Sequence, residues 1–525
     1  MPLARILLPI ALAALALPAL IVRLPPVADY PNHWARLWLL AGGAEQPPLT
    51  AMYAIDFSLV RTNIGIDLLG LTLGRIIGAD ALAPLLLALA AILPAWGGAM
   101  LNRRLFGGWH WWQIGFAVFA WNATLVLGFL NFQIGLGLAL LLAAVDAPLA
   151  ARGRAISFMA RAAFAVLLIV VHVFAACFYG ALLVALALGP QARLGASLRA
   201  PLATLRRALP AMLAVVTPLL LLTLLAPVVP GAQASDTPSL WSEYSLLGKV
   251  AALCSGFVTY DPVVDGLFVL GVWLVARVLM RSHPVRIHGG MFLLPPLLIL
   301  ATLVLPPSLA APALIDWRLP IIAILALLAG FRPEAPSSRR ANLAGLLLLA
   351  MALGRTAWMT NVWSAREADA RSVERALLAV PAGAAVLPVV PLFEGDAAPP
   401  TGRNILGIDS FAHWPVMAIA WRQGFVPTLF SARGKQPIRV LPPWSDIAAS
   451  ESGPFLLPWL VHFPDAPFAD FWFGYGREWR TRYDYLVVLA MDGAPARSQA
   501  LSDPSLELVT DEGFARLYRI RRSPN

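Results

Sequence analysis

Apolar runs long enough to cross a bilayer recur along the first 360 residues and then stop. Runs of about 18 or more predominantly apolar residues are the signature of transmembrane helices. The pattern predicts spans at about Ile6–Val22, Ile64–Gly78, Ala81–Leu101, Ala162–Leu188, Leu209–Val229, Val264–Met280, Met291–Leu305, Leu319–Phe331 and Leu343–Met359. The stretch from Ile114 to Val145 is too long for one span. It is interrupted between Trp121-Asn122 and Gly128-Phe129-Leu130-Asn131-Phe132, which predicts two more. The first run follows Arg5 and lacks a clean small-x-small cleavage signal before Arg23, so it reads as an uncleaved span.

Polar positions organise what lies between and after these runs. Residues 24–63 form a long loop. In it Trp34, Leu37, Trp38 and Ala41 fall at i, i+3, i+4 and i+7, one apolar stripe of a helix over Tyr30–Gly43. Tryptophans on such a stripe predict an interfacial helix lying in the headgroup plane. Pro31 suits its first turn and Asp29 the position before it. Asp29, His33 and Arg36 are spaced to share one side. After Thr360 no run can span. Arg366–Leu378 reads as a helix, Ala384–Val390 and Tyr485–Met491 as buried strands, and Leu506–Val509 and Ala515–Ile520 as a hairpin around Thr510-Asp511-Glu512-Gly513. The aromatic-rich segment Phe463–Tyr485 reads either as a membrane-docking surface or as domain core. The fold expected is an α-helical polytopic membrane protein of about eleven spans (residues 1–360) with a C-terminal extracytoplasmic α/β domain (361–525).

Composition agrees: of 525 residues 59% are hydrophobic and only 13% charged, about half the charged share of an ordinary soluble domain. The net charge of +10 comes almost wholly from arginine, since Lys249 and Lys435 are the only lysines. These arginines cluster in short loops, as topology signals do, and no basic domain or aromatic–basic sheet motif points to nucleic acid. The basic runs Gln191–Arg207, Arg281–His288 and Arg332–Arg340 are expected to be cytoplasmic. Eleven spans starting inside satisfy all three and put Leu24–Asn63, Pro230–Asp261, Pro306–Arg318 and the C-terminal part outside. The same count leaves Arg103/Arg104 and Arg152–Arg161 outside, against the rule. An error of two spans within 62–146 would preserve the later topology. Cys177 and Cys254 are the only cysteines, and no zinc-type Cys/His spacing occurs.

Ionisable groups within or bordering spans cost several kcal/mol unless paired or hydrated, so they mark candidate chemistry. Asp29, Asp56, Arg61, Asp67, Asp316 and Arg318 all map to the outer face. Carboxylates with arginines there suggest a site for an anionic headgroup: arginine binds phosphate bidentately, and a carboxylate deprotonates a hydroxyl or holds a divalent cation. Each has a plainer reading. Asp29 would cap the helix, His33 would be an interfacial polar group, Asp67 a structural ion-pair partner, Arg61 and Arg318 topology anchors, and Asp316 a counter-charge for Arg318. His172 within its span reads as an interior histidine or a binding group. Asn131 would satisfy backbone at the helix break. His413 and Glu243 are further candidates for contact with substrate. Phosphate-loop, HExxH, nucleophile-elbow and Rossmann motifs are absent, so an outer-face reaction needs a donor activated elsewhere, such as a lipid carrier.

With Val27-Ala28-Asp29-Tyr30-Pro31-Asn32-His33 just after the first span, Arg61-Thr62-Asn63-Ile64-Gly65-Ile66-Asp67 and Gly128-Phe129-Leu130-Asn131-Phe132, the layout resembles the GT-C superfamily of polytopic, lipid-carrier-dependent glycosyltransferases. Its shared pattern is a first span, a long outer loop with an acidic residue near its start and an interfacial helix, many further spans, and often an extracytoplasmic C-terminal domain. Where several GT-C families carry a second acid, this chain has Tyr30. The resemblance implies a polyprenyl-phosphate-linked sugar as donor and a hydroxyl on a glycan, lipid or protein as acceptor, in the bacterial inner membrane. Asp29 would be the general base, Arg61 and Arg318 would stabilise the leaving lipid phosphate, and Asp67 or Asp56 would orient the acceptor or a divalent cation such as Mg or Mn. A lipid or glycan transporter and a non-catalytic envelope-assembly protein are the other classes this layout admits.

Overall fold

The computed structural model describes residues 3–193, 201–225, 227, 245–280, 284–308, 314–335, 337–391, 399–450, 452–462, 474–493 and 499–522. Two compact units emerge. The first comprises Met1–Ile21, Arg61–Gly65 and Leu86–Asn361, and the second Val22–Val60, Ile66–Leu85 and Val362–Asn525. The chain thus changes unit at Asn361/Val362, but the second unit also takes in two stretches that the sequence pattern placed in the membrane part.

The first unit is helical, and the chain is a polytopic membrane protein. Ala4–Ile21, Ala79–Phe106, Arg154–Val171, Leu202–Leu224 and the run Ser338–Leu378 are long and apolar enough to cross a membrane. Shorter apolar helices run over Leu130–Ala144, Val173–Leu188 and Gly289–Val304. Leucines such as Leu205, Leu209, Leu213, Leu220 and Leu221 point outward from their helix, as a lipid-facing surface requires.

Two expected spans are corrected. Ile64–Gly78 is not one helix: Gly65–Leu71 and Gly74–Ile77 are short pieces, interrupted where Gly74 and Gly78 lower helix propensity. Ala162–Leu188 is two helices. Arg154–Val171 ends and Val173–Leu188 begins at His172, whose backbone is extended and whose Nδ1 accepts from Phe174 N at 3.2 Å. The imidazole caps the new helix as a Ser or Asp would, and hydropathy does not register such a corner. The stretch before Leu130 holds only short helical pieces, Gly115–Val118 and Ala123–Val126, ahead of the regular helix Leu130–Ala144.

Broken backbone in an apolar unit must be satisfied by protein. Here Arg355 donates to the carbonyls of Trp121 and Phe257 while pairing with Asp265 at 3.0 Å. Trp121 Nε1 donates to Thr356 Oγ1 at 3.0 Å. Asn122 caps Ala123–Val126 and accepts from Gln133 Nε2 at 2.9 Å.

The basic turns gather at one end of this unit. Arg332 donates to the carbonyls of Phe106 and Gly107, beside Arg103 and Arg104. Asn102 Nδ2 donates to the carbonyls of Leu328, Ala329 and Phe331. Strand Val285–Ile287 pairs antiparallel with Phe331–Pro333. Gly289 N and Gly290 N donate to Pro190 O and Gly189 O. Because the helices on either side of His172 pack back on each other, Arg154 lies at this same end, where Arg161 holds Asp146 at 2.7 Å.

Small residues permit the close helix approach typical of membrane packing. A Cβ on Gly137 would lie 2.4 Å from the backbone carbon of Leu93, and one on Gly97 2.4 Å from Gly137 O. Gly137→Leu is expected to force helices Ala79–Phe106 and Leu130–Ala144 apart at a cost of about 1–3 kcal/mol. Thermal melting of the detergent-solubilised protein checks this, and an unchanged midpoint contradicts it.

In the second unit a five-stranded sheet has the order Leu506–Asp511, Arg516–Ile520, Tyr485–Val488, Val386–Val390, Phe455–Leu456. Val386–Val390 runs parallel to both of its neighbours, and the other pairings are antiparallel. Both central strands are buried throughout, which is why they read as continuous apolar runs. The hairpin turns at Glu512-Gly513, with Gly513 at φ +81°. Helix Glu367–Leu378 is present where the periodicity put it.

Helix Tyr30–Leu40 departs from its expected surroundings. Every residue but Trp38 is buried, including Asn32, His33 and Arg36. It is therefore packed into the core of this unit. The polar side, which an interfacial helix would leave wet, is covered by residues 413–430 and by helix Gly65–Leu71. Of the aromatic segment Phe463–Tyr485, residues 463–473 lie outside the described residues. Tyr475, Trp479 and Tyr483 are buried, the core reading.

Candidate functional site

Asp29 stands at the N-cap position of helix Tyr30–Leu40, yet its side chain makes no capping hydrogen bond. Pro31 removes one of the amides such a cap would serve. The carboxylate instead lies with Oδ1 3.9 Å from His413 Nε2, its side chain 22% exposed against 11% for the histidine. Burial pushes the His413 imidazole down to about 4, so the ring is neutral at neutral pH. The two groups form a carboxylate–imidazole pair, not an ion pair.

His413 packs edge-on against Phe430 at 5.0 Å. The other histidine of the stretch, His33, meets the same ring at 6.4 Å. Asn32 fixes this arrangement. Its amide donates to Thr428 O at 3.3 Å, and its Oδ1 accepts from Phe430 N at 2.8 Å. Trp414 Nε1 reaches back to Pro25 O at 3.4 Å. One turn along the helix, Arg36 lies 3.5 Å from His33 Nδ1 and binds Asp67 bidentately, with both contacts at 2.9 Å. Arg36 and Asp67 are 2% and 1% exposed. Burial raises the Asp67 carboxyl and the Arg36 guanidinium opposes it. Gly70, one turn beyond Asp67, allows the approach: a Cβ there would lie 2.8 Å from Leu37 Cδ2.

Asp56 is placed elsewhere in the unit, beyond the short ladder of Tyr53–Ile55 with Ile438–Val440. It accepts from Ser58 N at 2.9 Å, and its carboxyl is held low by hydrogen bonding from Ser58. With both Asp67 oxygens on Arg36 and Asp56 in its own turn, these carboxylates do not fit a protein-held cation. Among the described residues no group of three His, Cys, Asp or Glu side chains is assembled to hold one.

In the first unit Arg318 is buried against three aromatic rings, 4.4 Å from the centroid of Phe129, 5.4 Å from Phe174 and 5.9 Å from Phe132. Its Nη1 donates to Leu314 O at 3.0 Å. His172 belongs to the same cluster, 5.6 Å from Phe132 and 5.7 Å from Phe174. Arg61 is exposed. The segment that follows it is pinned near this corner: Thr62 Oγ1 donates to Ile169 O at 2.5 Å, Ile64 N to Val170 O at 3.0 Å, and Asn131 Nδ2 to Asn63 O at 2.8 Å. Asp316 does not neutralise Arg318. Its partner is the buried Lys249 at 2.7 Å, which also donates to Leu305 O. Glu243 lies outside the described residues.

His413 carries a pH prediction. The unfolded imidazole titrates near 6.5 and the folded one near 4, so between these values the unfolded chain binds more protons. Stability is therefore retained above about 6.5 and lost as pH falls toward 4. His413→Gln is expected to flatten that part of the stability–pH curve measured by thermal melting. A curve superimposable on the parent's contradicts it.

Neither a protein-family model nor a curated protein matches the chain. Two crystal structures do: ArnT from Cupriavidus metallidurans bound to undecaprenyl phosphate, and the same protein in the apo state. Each is 12% identical, covers 98% of this chain and 97% of its own, and superposes with a TM-score of 0.49.

Proposed function

We propose that the chain is a GT-C-type glycosyltransferase of the bacterial inner membrane. It moves a sugar from a polyprenyl-phosphate carrier to a hydroxyl of a glycan, lipid or protein acceptor on the outer face. The observation that carries this reading is Asp29: a carboxylate at a helix cap position that caps nothing, beside an imidazole kept neutral by burial. A carboxylate placed there can take a proton from a hydroxyl brought to it.

The acceptor hydroxyl gives its proton to Asp29 as its oxygen bonds to the anomeric carbon. The bond from that carbon to the phosphate oxygen breaks, and its electron pair leaves with the polyprenyl phosphate. Arg318, set among Phe129, Phe132 and Phe174, offers a cation with an apolar surround, chemistry suited to a phosphate on a prenyl chain. Arg61, on the segment pinned near the same corner, is a second cation for that group. His172 orients this cluster, with its Nδ1 committed to Phe174 N. Asp67 holds Arg36, and through it His33, so it supports the Asp29 helix and is not a second base.

The topology supports this reading. An order that drops the stretch Ile64–Gly78, keeps two crossings over 114–145 and adds a turn at His172 agrees better with the loop charges. All five basic stretches, Arg103/Arg104 and Arg152–Arg161 included, then fall on the cytoplasmic side. In that order the discrepancy in loop charge disappears, and the count puts Asp29 and residues 362–525 outside.

Arg318→Gln is expected to weaken donor-lipid binding and lower transfer at limiting donor by about 10- to 100-fold. Saturation kinetics with polyprenyl-phosphate sugars extracted from envelope membranes checks this. An unchanged donor KM and kcat would remove Arg318 from donor binding. Comparing lipid-linked sugars and envelope glycans in cells with and without the protein tests the reading as a whole.

A further inference from the structure

The distance between Asp29 and His413 is informative. At 3.9 Å, Oδ1 and Nε2 are too far apart for a direct hydrogen bond. Both are nonetheless held in place. The histidine ring is wedged edge-on against Phe430, Phe430 is clamped by Asn32, and Asn32 lies one turn beyond Asp29 on the same helix. A polar separation of this size is what one bridging oxygen fills. An oxygen about 2.8 Å from each group fits it, with an angle of roughly 90° at the oxygen.

The imidazole's tautomer follows from its burial. His413 Nδ1 is buried and has no hydrogen-bond partner. A proton there would be an orphaned donor, costly in an apolar setting, so the neutral ring carries its proton on Nε2, facing Asp29. The gap is thus bounded by an acceptor on one side and a donor on the other. A hydroxyl fits both: its hydrogen points to the carboxylate, and its lone pair accepts from the imidazole N–H. Water fits equally well in the absence of an acceptor. A plain interior histidine would be expected to have Nδ1 or Nε2 satisfied by a neighbouring backbone group.

We infer that His413 is the second group on the acceptor, its Nε2–H and the Asp29 carboxylate holding the attacking hydroxyl between them. This rests on Asp29 being the base and adds the residue that aims the oxygen. It assigns to the segment Phe411-Ala412-His413-Trp414-Pro415 a part in selecting hydroxyl acceptors. An acceptor presenting an amine would be disfavoured: protonated, it meets the imidazole N–H donor to donor, and neutral, it has a single lone pair, which cannot both accept from that N–H and attack. The proton goes to Asp29 alone; His413 neither gains nor loses one.

The test uses the full-length protein in detergent, with polyprenyl-phosphate sugars extracted from envelope membranes as donor and the envelope glycan fraction as acceptor. Gln places an amide N–H where His has Nε2–H, whereas Phe keeps the ring and removes the donor. His413→Phe is expected to raise the acceptor KM or lower kcat by about tenfold in total, with the donor KM unchanged, and His413→Gln to recover most of the loss. His413→Phe with parental acceptor kinetics overturns the inference, as does a loss that Gln does not rescue. If the Phe variant fails to fold, His413→Asn decides: its shorter amide does not reach the gap. A Gln variant more active than Asn supports the inference, and equal activities overturn it. Asp29→Asn measured alongside keeps the two claims apart. An inactive Asp29→Asn with normal His413 variants removes only His413, while an active Asp29→Asn removes the base and this inference with it.

Discussion

Asp29→Asn is expected to leave the protein folded and inserted while lowering sugar transfer by at least about 100-fold, within the usual range for loss of a general base. The asparagine is isosteric and the side chain makes no capping bond, so helix Tyr30–Leu40 loses no terminal hydrogen bond. The helix is held by other contacts: Asn32 on residues 428–430, Trp34 Nε1 on Asp80 at 2.9 Å, and Arg36 on Asp67. Loss of activity with an unchanged melting temperature is therefore the signature of lost chemistry. Transfer at the parental rate would show that another group takes the proton. The measurement is polyprenyl phosphate release from the extracted donor, with variant and parent reconstituted at equal density.

The opposite signature is expected at Asp67. Asp67→Ala strands the Arg36 guanidinium at 2% exposure with neither carboxylate oxygen. Removing one partner of a buried ion pair costs about 3–5 kcal/mol. The variant should be found at low abundance and melt well below the parent. Arg36→Met with Asp67→Leu, which removes both charges and keeps the volume, should recover much of that loss, since a buried pair replaced by packed apolar groups is often neutral or better. If Asp67→Ala melts as the parent does and transfer alone fails, Asp67 acts in the chemistry and not in the frame. Thermal melting and transfer measured on the same preparations separate the two cases.

What could be read along the chain depended on whether the signal was local. Pro31 with the stripe Trp34, Leu37 and Trp38 marks a helix, and Tyr30–Leu40 is one. Asp511-Glu512-Gly513 marks a hairpin, and Leu506–Asp511 pairs with Arg516–Ile520 around it. The interruption at Trp121-Asn122 was visible because a polar residue beside an aromatic one breaks the apolar run. The misplaced elements carry weaker signals. Gly65, Gly70, Gly74 and Gly78 are a repeated helix-weakening pattern inside Ile64–Gly78, and average hydropathy hides it. His172 sits between valines, so nothing in the apolar pattern announces that its imidazole caps a new helix.

The candidate site divides in the same way. Asp29, His33, Asp67, His172 and Arg318 stand out in the sequence because ionisable groups are scarce in so apolar a chain. Their partners do not. Asp67 meets Arg36 from 31 positions away, and Lys249 meets Asp316 from 67. His413 reaches Asp29 across most of the chain.

The sequence by itself determined that this is a polytopic membrane protein with a mixed helix–sheet unit after Thr360, because bilayer thickness and strand and helix periodicity act within a few turns of chain. Only the tertiary structure decided what surrounds helix Tyr30–Leu40 and which charge meets which. Burial of a polar face and pairing of a carboxylate depend on segments brought together by folding, and no local periodicity encodes them. Asp29 shows both halves: its place before a proline-started helix is written in the chain, whereas its unused cap and the imidazole beside it exist only in the fold.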